Sequence, residues 1–376
     1  MKEIYLDNSA TTKVCDSAIT AAVHALTNSW HNPSSLYRRG MEAEMLINGA
    51  RKTTANLLSV SLEEIFFTSG GTESNNTAIF SAVEHLKKRG KRIVTTTIEH
   101  PSVKNPIKKL EENGFDVVWL KPNAYGKITE EQLKDAITAD TILVSVMYIN
   151  NETGAIQPIE CIKQIIKSKN APALLHCDAV QAFGKIEINP KKLGIDLLSA
   201  SGHKIHAPKG VGILYKSNNV HIPPFLLGGG QEKGFRSGTE SVPLISAFGA
   251  AISELKIKDS YEYVKGLNEY AKECLKGLDG VIFNSPDDAL PYIINVSLLG
   301  YRSETILHFL EADGILVSSG SACSKGSPSS VLTEMGKSPD YADSAIRISL
   351  SRYNEKSDFE ALVTGLKKAQ NKLKRK

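Results

Sequence analysis

The sequence predicts an α/β fold: a mostly parallel seven-stranded sheet covered by helices, followed by a smaller α+β unit. Three observations carry this expectation. From about residue 55 to 215, short apolar runs alternate with helix-periodic segments, the pattern of a parallel sheet with crossover helices. After about residue 255 the texture changes to a Lys/Glu/Tyr-rich stretch with sparser strand signals. The length of 376 residues, 41% of them hydrophobic, supports a large core but is long for one compact unit. The expected division is a large domain over residues 16–255 and a small domain formed by 1–15 with 256–376.

Taken in order, Glu64–Thr68 reads as the first strand of the sheet, and Gly70-Gly71-Thr72-Glu73 follows it. Apolar residues at Ala78, Ile79, Ala82, Val83 and Leu86 then recur at helical spacing, and Gly90 marks the stop. Further strands are expected at Ile93–Ile98, Val117–Leu120, Thr141–Met147, Ala173–Cys177, Asp196–Ala200 and Val211–Tyr215, with helices between most of them. Beyond residue 255 the pattern gives a helix to Leu278, a strand at Tyr292–Leu298, and a helix at Glu304–Ala312 ended by Gly314. A strand at Ala345–Leu350 and a final helix complete it. Thr72, His100, Asn151, Asp178 and the run Ser201–Lys204 each follow an expected strand. They should therefore emerge together at the carboxyl edge of one sheet, where open α/β folds bind ligands.

The bulk properties narrow the function classes. A net charge of +4 is too mild for a nucleic-acid surface, and the basic clusters at 87–92, 108–109 and 372–376 fall mostly at helix ends, where they complement the helix dipole. The amino terminus has no apolar leader, and the longest weakly polar run, Val242 to Ile252, is well short of a bilayer span. A soluble protein of the cytoplasm, binding neither membrane nor nucleic acid directly, is expected. Cys15, Cys161, Cys177, Cys274 and Cys323 form no Cys-x-x-Cys pair and leave an odd thiol, which argues against a disulfide framework and a structural zinc site. His203 and His206 have the spacing of metal ligands, but no nearby carboxylate or cysteine completes a set, so no metal is expected.

Several residue types suit one chemistry. The turn at Gly70-Gly71-Thr72, between a strand and a helix start, offers unpaired N–H groups to a phosphate; an ordinary turn with Thr72 as N-cap is the alternative. Asp178 ends an apolar strand, where its charge needs a cation. A protonated pyridine nitrogen would serve, and helix capping is the plainer role. Lys204, in Ser201-Gly-His-Lys204, can form a Schiff base if burial or a neighbouring cation lowers its pKa, and Ser201 and His203 beside it could grip a phosphate. Cys323 lies in a Gly/Ser loop with Lys325 close by and no apolar neighbour, fitting a nucleophile or sulfur carrier, whereas Cys161 and Cys177 have apolar neighbours and look structural. Arg347 sits in a strand pattern and needs an anion: a substrate carboxylate or a structural carboxylate. Together they suggest a lysine-anchored pyridoxal phosphate (PLP) enzyme with a cysteine nucleophile.

The ordered set resembles the NifS/IscS-type cysteine desulfurases, among the fold-type I PLP enzymes. It comprises Tyr5-Leu-Asp-Asn-Ser-Ala-Thr-Thr12, Asn32-Pro-Ser-Ser35, Thr68-Ser-Gly-Gly-Thr-Glu-Ser74, Glu99-His-Pro101, Asn150-Asn-Glu-Thr-Gly154, Asp178-Ala-Val-Gln181, Ser201-Gly-His-Lys204, Arg236-Ser-Gly-Thr239 and Ser319-Gly-Ser-Ala-Cys323. Tyr37 stands where many members carry a histidine. The resemblance implies that Lys204 anchors PLP and moves the substrate Cα proton, while His100 stacks on the ring and assists. It implies Asp178 on the pyridine nitrogen and Asn151 and Gln181 on the O3′ side. Gly71, Thr72, Ser201 and His203 would hold the phosphate, with Thr239 reaching across from the second subunit of a homodimer. Arg347, with Asn8 nearby, would bind the carboxylate of L-cysteine. The implied reaction converts L-cysteine to L-alanine and leaves a persulfide on Cys323 for a sulfur-acceptor protein, an iron–sulfur scaffold or a tRNA-thiolation protein. Selenocysteine lysis, another PLP-dependent lyase or aminotransferase reaction, and a non-enzymatic sulfur-carrier scaffold are the competing readings.

Overall fold

The computed structural model describes residues 3–320 and 329–375. Strand β1 (Ile4–Tyr5) opens the chain, and seven strands then build the main sheet: β2 (Ile65–Thr68), β3 (Arg92–Thr96), β4 (Asp116–Leu120), β5 (Thr141–Ser145), β6 (Leu174–Asp178), β7 (Leu197–Ser201) and β8 (Gly212–Lys216). Their order is β2-β8-β7-β6-β5-β3-β4. Every neighbouring pair is parallel except the two that β8 makes, with β2 and with β7. The seven strands fall where the apolar runs put them. The reversed direction of β8 is the added finding, since a run such as Gly-Ile-Leu-Tyr-Lys carries no mark of its polarity.

Helices cover both faces, so the sheet interior is dry. All five residues of β5 and of β7 are buried, which is why these strands read as near-continuous apolar runs rather than alternating ones. The helix Gly71–Leu86 leaves β2 and packs across β5, β7 and β8. The helix Pro101–Glu112 follows β3, with Pro101 in its first turn, where its missing N–H costs nothing.

The second sheet is antiparallel, ordered β12-β10-β9, from β9 (Val281–Phe283), β10 (Ile293–Leu298) and β12 (Ala345–Ser349). The helices Ile257–Lys276 and Lys356–Lys372 pack against one another beside it. Strand β1 pairs in parallel with β11 (Ile315–Leu316), and Asp7 bridges to Ser349. The amino-terminal segment thus joins the carboxyl-terminal layer before the chain enters the large sheet. One apolar cluster runs through both layers, from Phe248 and Phe183 to Ile294 and Phe359.

Candidate active site

The carboxyl ends of the parallel strands open into a cavity of about 260 Å³. Gly71, Thr72, His100, Asn151, Asp178, Gln181, Ser201, His203, Lys204 and Arg347 all line it, joined by Ser9, Ala10, Asn75, Ser102, Met147 and Val180. The strands explain the convergence. Asp178 and Ser201 end their strands, and Thr72, His100 and Asn151 lie within a few residues after theirs, so the sheet brings them to one edge, while Arg347 reaches the cavity from β12 of the second sheet.

Lys204 follows β7 and a single helical turn, and its Nζ donates to the carbonyls of Ser9 and Ala10 at 2.5 and 2.7 Å. The amine is thus held at the wall by main-chain acceptors. Asp178 ends β6 at 6% exposure. Its Oδ1 accepts from the Val180 N–H and its Oδ2 from the Asn75 side chain, and among the described residues no lysine or arginine pairs with it. A buried carboxylate satisfied only by neutral donors fits a cationic ring nitrogen.

His100 caps the helix that follows it. Its Nδ1 accepts from the Ser102 N–H at 3.1 Å, which puts the ring proton on Nε2, and the Ser102 hydroxyl lies 2.7 Å from the same nitrogen. Asn75 donates to both Ser102 Oγ and Asp178 Oδ2, each at 2.8 Å, so one amide links the carboxylate to the histidine. Burial holds the His100 pKa below the ordinary imidazole value, with Asp178 opposing and Lys204 reinforcing the shift. His203 is pushed down to about 4, by burial first and then by the neighbouring lysines, so it too is a neutral ring at pH 7.

At the far end, the helix beginning at Gly71 points its first turn into the cavity beside Ser201. Gly70 takes φ +150°, and a Cβ at Gly71 would lie 2.8 Å from Val180 Cγ2. The helix start, Thr72, Ser201 and neutral His203 make a donor cradle for a phosphate. The residues present therefore fit PLP at both ends: an acid-lined wall for its nitrogen and a donor-lined turn for its phosphate.

Arg347, on β12, is 1% exposed. Its Nη2 pairs with Asp7 at 2.7 Å and its Nη1 donates to the Asn151 carbonyl at 3.0 Å, leaving Nε without an acceptor among the described residues. Asn8 is not at the cavity wall; its amide donates to the Ser349 carbonyl and to Asn354, tying the amino-terminal segment to β12. Thr239 is exposed and lies outside this chain's cavity. Cys323 lies outside the described residues. The positions flanking its segment, Gly320 and Ser329, both meet Glu152: Ser329 Oγ donates to the Glu152 carboxylate at 2.5 Å, and a Cβ at Gly320 would be 3.2 Å from it. Of the other thiols, Cys177 is fully enclosed, and burial raises its pKa well above the ordinary value, as it raises that of Cys161. Neither is poised as a thiolate.

Asn75, Ser102 and Asp7 were not among the residues singled out from the sequence. Asn75 lies one helical turn beyond Thr72 on the same face, and Ser102 stands two residues past His100 at a helix start, so spacing could have nominated both. Asp7 carries no such signal, because its partner is 340 residues away. Among the described residues no group of three or more His, Cys, Asp or Glu could hold a metal ion, and no helix is long and apolar enough to cross a membrane.

Comparison with known proteins places the chain in a family. The family model described as Aminotransferase class-V matches residues 4–362. A protein named cysteine desulfurase IscS from Methanosarcina thermophila is 40% identical over 99% of this chain and 93% of its own length. One of the same name from Clostridium botulinum is 39% identical over 98% and 94%. Among solved structures, a NifS-like protein superposes with a TM-score of 0.94 at 36% identity, covering 99% of this chain and all of that one. SspA, solved in complex with cysteine, superposes with a TM-score of 0.84 at 34% identity, covering 94% of this chain and all of that one. The chain belongs to the class-V aminotransferase family, among its NifS- and IscS-type cysteine desulfurases.

Proposed function

We propose that this protein converts L-cysteine to L-alanine and carries the released sulfur as a persulfide on Cys323. It is an enzyme of the cysteine desulfurase type, a class that generally works with PLP. The observation that carries the reading is the cavity where a partly buried lysine, a carboxylate without a cationic partner among the described residues and a neutral histidine converge. Bound PLP supplies an electron sink for the substrate Cα carbanion. Lys204 would anchor it and move the Cα proton, Asp178 would pair with the ring nitrogen, and Asn151 and Gln181 would serve the O3′ side. Gly71, Thr72, Ser201 and His203 would hold the phosphate. Neutral His100 exchanges a proton through Nε2, and Arg347 offers its uncommitted Nε to the substrate carboxylate.

The Cys323 thiolate attacks the substrate sulfur. An S–S bond forms, the substrate Cβ–S bond breaks with its electron pair returning to the carbon skeleton, and protonation there completes alanine. Glu152, next to Asn151 in sequence, accepts from Ser329 and lies beside Gly320, so both flanks of the Cys323 segment stand close to the cavity, which supports delivery of that thiol to it.

The acceptor we assign is a sulfur-carrier or scaffold protein for iron–sulfur or tRNA thiolation. A homodimer is supported by exposed apolar side chains on the helices Asp16–Asn28 and Arg38–Leu58, Met45 at 71% and Leu26 at 60% among them, and Thr239 would complete the partner's phosphate site. The two-domain division, 16–255 against 1–15 with 256–376, belongs to the same reading, as does the cytoplasm, where free thiols persist.

The deciding experiment incubates PLP-loaded protein with L-cysteine and measures alanine and protein-bound sulfane sulfur, for wild type and Cys323→Ser. Alanine with a persulfide absent from the serine variant is expected. Bound PLP with neither product would assign another PLP reaction, and normal sulfur delivery by Cys323→Ser would remove Cys323 from its role.

A further inference from the structure

The cavity wall is backed by a second lysine that the chemistry above leaves unused. Lys185 lies four residues beyond Gln181 in the turns that follow β6 and is only 5% exposed. Its Nζ donates to Gln181 Oε1 at 3.0 Å and stands 5.6 Å from the centre of the Tyr292 ring. No carboxylate among the described residues pairs with it. Burial, then the charges of Lys204 and Arg347, bring its pKa down to about 7. Such a residue is expensive to keep: an apolar side chain of similar length would fill the same space without desolvating an amine.

The geometry points to Lys185 as a positioning residue that fixes the amide of Gln181. A glutamine amide can rotate by half a turn and present either its oxygen or its nitrogen to a given neighbour. Here both neighbours demand the same orientation. Lys185, charged or neutral, donates and therefore claims Oε1; the Ser9 carbonyl can only accept and therefore claims Nε2, at 3.1 Å. With Oε1 engaged behind the wall, the end of Gln181 on the cavity side is its donor. The same Ser9 carbonyl accepts from Lys204 Nζ, so Lys185, Gln181, Ser9 and Lys204 form one continuous hydrogen-bonded set. A donor aimed into the cavity suits an anionic oxygen, and on the PLP reading that oxygen is the ring's O3′. Without Lys185 the amide loses its fixed sense, and an acceptor can turn toward that oxygen.

This assignment rests on the PLP reading, and its test separates the two. Lys185→Met keeps length and volume while removing the donor; Gln181→Met removes the amide. Apoproteins of wild type, both single variants and the double variant are titrated with PLP, recording Kd, the visible absorption spectrum of the bound cofactor, and thermal midpoints. Lys185→Met is expected to weaken PLP binding at least fivefold and to change the visible spectrum in the same sense as Gln181→Met. In the double variant, adding Lys185→Met to Gln181→Met should change Kd by less than twofold, because the lysine acts through the amide. Multiplicative losses, or a lower thermal midpoint with an unchanged spectrum and Kd, would overturn the assignment and leave Lys185 a packing residue. Failure of the wild type itself to bind PLP would overturn the cofactor reading instead.

Discussion

Asn75 joins the buried carboxylate to the histidine through a single side chain. Its one NH₂ group serves both Asp178 and Ser102, and through Ser102 it reaches His100. Asn75→Ala would leave a buried carboxylate one donor short. Since a hydrogen bond to a charged group contributes about 1.5–3 kcal/mol, PLP affinity should fall roughly 10- to 150-fold, measured by titrating the apoprotein. His100→Ala should keep the cofactor and lower kcat about 10²- to 10⁴-fold, the usual contribution of a proton-transfer group. The lowered pKa of His100 also has a sign. A ring that stays neutral below the ordinary 6.5 keeps its proton-exchange role as the medium acidifies, so the acid limb of kcat/KM should lie below 6.5. A pH profile ending at or above 6.5 would contradict this. Residues that follow strands were legible because chain order alone puts them at the sheet edge. Lys185 and Asp7 were not: one looks like any of the many lysines, and the other acts through a contact made across the whole chain.

Among the elements, the turn between β2 and the helix Gly71–Leu86 controls how closely β6's exit loop can approach. Gly71 has no Cβ because Val180 occupies that place, 2.8 Å away. Gly71→Ala would force the helix start off Val180, at about 1–3 kcal/mol for such overpacking, and would displace the donors facing the cavity. Lower thermal stability with weaker phosphate-dependent binding is expected, and Val180→Ala in the same chain should recover much of both. The glycine pair was visible in the sequence, but the reason for the second glycine was not, since Val180 is more than a hundred positions away. The strands show the same division. Their apolar runs marked all seven, whereas the antiparallel placement of β8 between β2 and β7 follows from which edges remain to be paired. That is a property of the assembled sheet.

For the whole molecule, Glu99 is one buried group that ties stability to pH. This carboxyl accepts from Thr96 and the Met147 N–H through one oxygen and has no partner for the other, and burial raises its pKa from 4.5 to about 8. Below about pH 4.5 it is protonated whether the chain is folded or not, so no penalty arises. As pH climbs toward 8 the unfolded chain releases this proton and the folded one retains it, so stability is lost across that window. Glu99→Gln should therefore leave the melting temperature little changed near pH 5 and raise it relative to wild type at pH 9. An equal offset at both values would locate the penalty elsewhere. The two-layer organisation also sets a timetable. Asn8 and Ser9 are secured by Ser349, and Asp7 by Arg347, yet the Ser9 carbonyl is what receives Lys204. During synthesis at about 5–20 residues per second, Asp7, Asn8 and Ser9 wait tens of seconds for the strand that completes their hydrogen bonds. A ribosome halted before Ala345 would leave Asp7 without Arg347 and Asn8 and Ser9 without Ser349, so the segment that supplies the acceptors of Lys204 would be held by Gln181 and His203 on the large-sheet side.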